Sequence, residues 1–293
     1  MNLRNIEEAY LKGESFEEIR NLYISQIENI DESQQIEIWK QVCGYANEDM
    51  IAYLLSIGWR AAGVADSYDN TLLHLLATPI PSPTSYFIKN DKVYTCTQLL
   101  LDAKVSPLRK NDEEKTALIL SAQVGYNEML KAYYERNAKI DFTDRNGNTV
   151  LHLVALNFRT AYQQYEKATE DLDRHLNVKS DFPMSEEKFE HKKKVLEWNQ
   201  YVSRINVESF ITYAAMAMEF GIDPYQKNTE RETAIDVAVR YGSKAIGAIL
   251  SGADFSNAEM VPFYMQAGGM DVYHASEKGD LEALNALIQL GSS

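Results

Sequence analysis

The chain has 293 residues, 45% of them hydrophobic, with a formal net charge of −14 and an isoelectric point near 4.9. That balance disfavours nonspecific attachment to nucleic acid or anionic lipid, because a phosphate-binding surface needs clustered Lys and Arg. No transmembrane stretch is apparent, the first residues lack a secretory apolar core, and the two cysteines, Cys43 and Cys96, read as small buried hydrophobes in a reducing compartment rather than a disulfide framework.

Residues 1–35 read as a helical amino-terminal cap. Ser15-Phe-Glu-Glu18 is a capping-box signal, and Phe16, Ile19, Leu22, Tyr23 and Ile27 continue at helical spacing. The first sixty residues are acidic, with five basic side chains against Glu7, Glu8, Glu14, Glu17, Glu18, Glu28, Asp31, Glu32, Glu37, Glu48 and Asp49, which suits the polar outer face of a terminal unit. Ile38 to Gly58 reads as a pair of short helices. Asp66-Ser-Tyr-Asp-Asn-Thr71-Leu-Leu-His74-Leu-Leu-Ala77 then sets out a pattern of turn, capping threonine and apolar helix.

The pattern returns at Asn111 to Ala122 around Thr116, at Asp144-Arg-Asn-Gly147-Asn-Thr149-Val-Leu-His152-Leu-Val-Ala155, and at Asn228 to Ala238 around Thr233. Thr116 and Thr149 are 33 residues apart, whereas Thr71 to Thr116 spans 45 and Thr149 to Thr233 spans 84. The excess residues belong in insertions. The first, 78–93, holds Pro79, Pro81 and Pro83 and reads as an extended loop with Tyr86-Phe87-Ile88 at its tip. The second, 158–208, reads as an antiparallel helical hairpin. Tyr162, Tyr165, Ala168, Leu172 and Leu176 mark its first helix, Ser180-Asp-Phe-Pro183 breaks it, and a second helix from Ser185 carries Phe189, Val195, Trp198, Tyr201 and Ile205 towards Phe210. Lys192-Lys193-Lys194 lies among Glu186, Glu187, Glu190 and Glu197 and reads as a solvated face.

The motif Asp-x-x-Gly-x-Thr-x-Leu-His-x-x-Ala, with its 33-residue period, resembles the ankyrin repeat. The usual proline after the threonine is replaced by Leu72, Ala117, Val150 and Ala234, which should cost little while the threonine caps remain. The resemblance implies an all-α solenoid of stacked helix-turn-helix units. Repeats fall near 36–65, 66–110, 111–143, 144–227, 228–260 and 270–293. It also implies structural roles for Thr71, His74, Thr116, Gly147, Thr149, His152, Thr233 and Gly242, with the two histidines tying adjacent turns. Gly147 supplies the positive φ that its turn requires.

For function, the resemblance implies protein binding through a concave surface of turn residues and helix ends. Carried over position by position, that surface holds Ser67, Tyr68 and Asn70, then Asp112, Glu113 and Lys115, then Arg145, Asn146 and Asn148, then Thr229, Glu230, Glu232, Arg240 and Tyr241. Tyr68, Arg145 and Tyr241 are the expected anchors, as aromatic and guanidinium groups dominate interface energetics. The long insertion is expected to bend the stack and split this surface.

No nucleophile elbow, metal set or phosphate loop is present. His191 has only Glu187 one turn before it, and Gly268-Gly269 lacks a following lysine. The expectation is a non-catalytic, cytoplasmic, monomeric scaffold or adaptor without cofactor or metal, binding a neutral or basic protein partner. Two alternatives stay open. The loose, proline-poor repeats, rich in Tyr, Asn, Ile and Glu, resemble bacterial ankyrin proteins, which implies a secreted effector or immunity-type inhibitor delivered into a host cell. Alternatively, these residues belong to a larger enzyme whose catalytic domain lies outside them.

Overall fold

Several helices in this chain begin where a polar side chain closes the open first turn, and several are followed by a residue with left-handed backbone. The computed structural model describes residues 17, 18, 21, 31–78, 83–177, 186–253, 266, 275, 276 and 280–291, in which the regular structure is helical and the only bridges are Ala65 with Thr71 and Thr143 with Thr149. Most of the expected cap over 1–35 lies outside the described residues, as do Pro79, Pro81, the Ser180–Pro183 break and Gly268-Gly269.

The helices come in consecutive pairs. They are α1 (Glu32–Gly44) with α2 (Glu48–Ser56), α3 (Leu72–Ala77) with α4 (Pro83–Asp102), α5 (Ala117–Val124) with α6 (Asn127–Glu135), α7 (Val150–Asn177) with α8 (Glu186–Glu219), and α9 (Ala234–Tyr241) with α10 (Lys244–Leu250), followed by α11 (Leu281–Gly291). First helices pack on first helices in the order α1, α3, α5, α7, α9, and second helices on second helices in the order α2, α4, α6, α8, α10. This sandwiching explains the composition of the first helices. Leu72, Leu73 and Leu76 of α3, and Leu118 and Ile119 of α5, are fully buried because a helix covered on several sides needs no polar stripe.

The caps repeat as well. Asp31 forms a reciprocal capping box with Gln34, and the Thr116 hydroxyl accepts from Ile119 N. Thr71 and Thr149 each donate a backbone N–H to Nδ1 of the histidine three residues on, and Thr233 does the same to Asp236 Oδ2. At the far end Gly58, Lys104, Asn137, Gly221 and Gly252 all have positive φ. The next residue's N–H then bonds back to Leu54, Leu100, Tyr133, Ala217 or Ala248, so each second helix closes by one geometry.

Two expectations need correction. The extended loop over 78–93 is confined to its start, because α4 begins at Pro83 and runs through 93. Proline is excluded from a helix interior but suits the first turn, where its missing N–H has no partner to lose. The hairpin's second helix merges with its repeat's own second helix as its spacing implied, α8 running from Glu186 to Glu219, but its first helix is not separate either, since α7 runs unbroken from Val150 to Asn177. The insertion is a lengthening of a repeat's own two helices. Its arms meet through stacking of His175 on Phe189 at 4.4 Å and a 3.1 Å bond from Gln200 Nε2 to Thr169 Oγ1.

Positive φ also recurs within the turns, at Asp69 (59°), Glu114 (59°), Gly147 (71°) and Arg231 (64°). These are one structural position, and only Gly147 fills it without strain. Gly147 is needed twice over, because a Cβ there would lie 3.2 Å from Thr229 N. Replacing exposed Glu114 or Arg231 by Gly is therefore expected to raise stability by about 0.5–1 kcal/mol each, after allowance for greater unfolded-state freedom. Gly147→Ala is expected to lower it. Urea midpoints of the three variants check this, and a loss in both glycine substitutions would contradict the strain assignment.

Candidate functional site

The candidate site is built on four five-residue turns. Each opens with Asp or Asn, whose Oδ1 accepts two backbone N–H groups, two and four residues on. Asp66 takes Tyr68 and Asn70 at 2.9 Å each, Asn111 takes Glu113 and Lys115, Asp144 takes Asn146 and Asn148, and Asn228 takes Glu230 and Glu232. The loop is held in one shape before any neighbour touches it.

Adjacent turns are then joined. Between the first and second, His74 Nε2 lies 2.9 Å from Lys115 O, Asn111 Nδ2 donates to Asn70 Oδ1 at 2.8 Å, and Asp112 N donates to Tyr68 O at 3.0 Å. Arg109 pairs with Asp69 across the same joint. Between the third and fourth the set recurs, with His152 Nε2 3.0 Å from Glu232 O, Asn228 Nδ2 on Asn148 Oδ1 at 3.0 Å, and Thr229 N on Asn146 O at 2.9 Å. Contrary to expectation, the long insertion does not split the surface, since the turns on either side of it are bonded directly.

The histidine chemistry is fixed by its partners. Nδ1 accepts the threonine N–H and faces the threonine hydroxyl at 2.8 Å, so Nε2 carries the proton and donates to the next turn's carbonyl. Both rings are buried, and burial holds the pKa of His74 and His152 below the ordinary histidine value despite the carbonyl contacts, which favour protonation. A protonated ring would set a donor against the threonine N–H.

The structure sorts the expected contact residues into two groups. Tyr68 is 67% exposed, Tyr241 is 41% exposed, and Arg145 and Asn146 are also exposed. Asn70 and Asn148, by contrast, are structural: each donates Nδ2 to the carboxylate that opens its own turn and accepts from the next turn through Oδ1. Arg240 and Glu230 hold one another, with Arg240 Nη1 3.1 Å from Glu230 Oε2 and Nη2 2.9 Å from Glu232 Oε2. Desolvation works against charge on both Arg240 and Glu232. For Arg240 the two carboxylates prevail and its pKa is raised, whereas desolvation prevails at Glu232 and raises that carboxyl. The Arg240 guanidinium also sits 5.0 Å from the Tyr241 ring centre, giving that tyrosine a fixed neighbour.

Sequence reading passed over the opening Asp or Asn as the organising residue, though its spacing of five before each threonine was visible. It also missed the Arg109–Asp69 pair, whose members are 40 residues apart. Among the described residues no three His, Cys, Asp or Glu side chains converge as a metal site, and no helix is long and apolar enough to cross a membrane. No protein-family model matches the chain, and no curated protein matches it.

Two outcomes are expected. Asn148→Ala strands the Asn228 amide at a part-buried joint and should cost about 1–2 kcal/mol in urea unfolding. Because the folded pKa of both histidines is depressed, folding stability should be full above about pH 6.5 and fall as pH drops below it. Urea midpoints between pH 7.5 and 5.5 read this; a flat profile would show that burial does not hold the two rings neutral.

Proposed function

We propose that the chain is an ankyrin-type solenoid that works as a non-catalytic scaffold or adaptor in the cytoplasm, recognising a neutral or basic protein partner through the concave surface of its turns. The observation that carries this reading is the exposure of Tyr68 and Arg145 on the turns and of Tyr241 at the end of α9, with the first turn bonded to the second and the third to the fourth. Large rigid side chains on a preorganised frame lose little entropy on binding, and aromatic and arginine anchors supply most interface energy. Exposed Asp112, Glu113, Glu114 and Glu230 stand on the second and fourth of these turns and favour a partner of opposite or no charge.

The test is affinity capture from lysate with the intact chain, a Tyr68→Ala/Arg145→Ala variant and a version lacking 158–208. The expected result is one protein captured by the intact chain and lost, by tenfold or more, in the double variant, whose thermal unfolding should match the parent because both side chains are exposed. Retention by the double variant with loss only on deletion would rule out the turn surface as the binding site.

A further inference from the structure

On the 33-residue frame Val124, the last residue of α5, corresponds to Asn157 of α7. There α5 stops and turns at Gly125, which has left-handed backbone, whereas α7 continues to Asn177 and α8 returns beside it. The two long helices therefore run past the end of α5, and the corner they make with it is a cleft of about 220 Å³. Its α7 wall lies roughly 12–22 Å along the helix axis from Thr149, so the cleft is no part of the turn surface.

The corner is polar but uncharged. Asn157, Thr160 and Gln164 follow at i, i+3 and i+7 on one face of α7, Gln123 enters from α5 and Asn206 from α8. Val124, Ala161 and Phe210 supply the apolar lining. Among the described residues no ionisable side chain lines the cleft, and Arg159 and Glu166 of α7 stand 3.9 Å from each other instead. Asn157 commits Nδ2 to Leu153 O at 2.8 Å, which leaves its Oδ1. Gln123, Thr160 and Gln164 make no side-chain hydrogen bond among the described residues, and Asn206 Oδ1 is shut from solvent without a donor.

This lining selects by exclusion. A charged group entering it would lose water and find no counter-ion, and a purely apolar one would leave the carboxamides without partners. A sugar would find no ring to stack on, because Phe210 is only 3% exposed. A neutral carboxamide presents N–H and C=O together and meets the same groups on the wall, the pairing that Asn111 makes with Asn70 and Asn228 with Asn148 at the turns. The cleft is smaller than the roughly 300–1,000 Å³ of a pocket for a drug-sized ligand, which suits a single side chain.

We propose that the cleft takes a glutamine side chain from a partner protein. Its methylenes lie against Val124 and Ala161, its carbonyl accepts from Gln123 and Gln164, and its amide donates to Asn157 Oδ1. The Asn206 amide turns about its last torsion, whose well is broad, and brings Oδ1 to the second donor. The inference does not rest on the turn surface, and either site can fail alone.

The test titrates acetyl-Gly-Gln-Gly-amide into the isotope-labelled full chain and follows the side-chain amide NMR signals of Gln123, Asn157, Gln164 and Asn206. Saturable shifts are expected, with affinity about fivefold or more above that of the Gly-Glu-Gly and Gly-Met-Gly counterparts. Affinity should fall by about the same factor in Gln164→Ala and in Asn206→Leu. Asn206→Leu should unfold no more easily than the parent, because it removes an unpaired buried acceptor. If it does unfold more easily, Gln164→Ala decides, as that side chain is exposed at the mouth. Absence of saturable shifts, equal affinity for the three peptides, or undiminished binding by the deciding variant overturns the proposal. So does tighter binding of glucose than of the glutamine peptide.

Discussion

The architecture depends on the joint between one turn and the next, and the joints are not alike. The two that carry a histidine on a carbonyl, an asparagine on an asparagine and a backbone bond are those whose threonines stand 45 and 84 residues apart. At the 33-residue joint Ile119 stands where the histidine would be and Lys115 where the asparagine would be. A longer connection costs more to close, though the difference between 84 and 33 residues is under about 1 kcal/mol. Three hydrogen bonds at about 1 kcal/mol net each exceed that. The locks therefore sit where the chain departs from the stack and must come back in register.

Lengthening both helices of one pair is a tolerable way to insert fifty residues. A loop of that size would carry unsatisfied backbone groups, whereas continuous helices satisfy their own. The root of the hairpin is also well anchored. Tyr213 on α8 lies fully buried with its hydroxyl 3.1 Å from Ser121 Oγ on α5, Phe220 stacks on Tyr134 of α6 at 3.8 Å, and Ser243 Oγ donates to Ala155 O at 2.7 Å. Burial drives the pKa of Tyr126, Tyr133 and Tyr213 upward, so these phenols stay neutral and act as packing groups. The free arms are thus levered from a rigid base.

Rigidity and exposure are divided between residues in a way that bears on binding. The amides of Asn70 and Asn148 are consumed in building the turns, and Arg240 is consumed by Glu230 and Glu232, whereas Tyr68, Arg145, Asn146 and Tyr241 keep exposed side chains that such a surface can offer. The strained φ at Asp69, Glu114 and Arg231 belongs to the same frame. The turn shape is kept even where the residue type disfavours it, which is the pattern of a surface whose geometry matters more than its local stability.

The sequence alone determined the helical pairs, the threonine caps, the turn around Gly147 and the two insertions. Those features rest on local chemistry, namely side chains bonding backbone three residues away, left-handed φ and apolar periodicity. Tertiary structure decided that Pro83 starts a helix, that turns flanking an 84-residue gap touch, and which polar side chains are spent within the stack. It also decided that Val202 is buried while Tyr201, one residue earlier, is exposed. These outcomes depend on which distant residue lies opposite, and helical spacing carries no information about a neighbour eighty positions away.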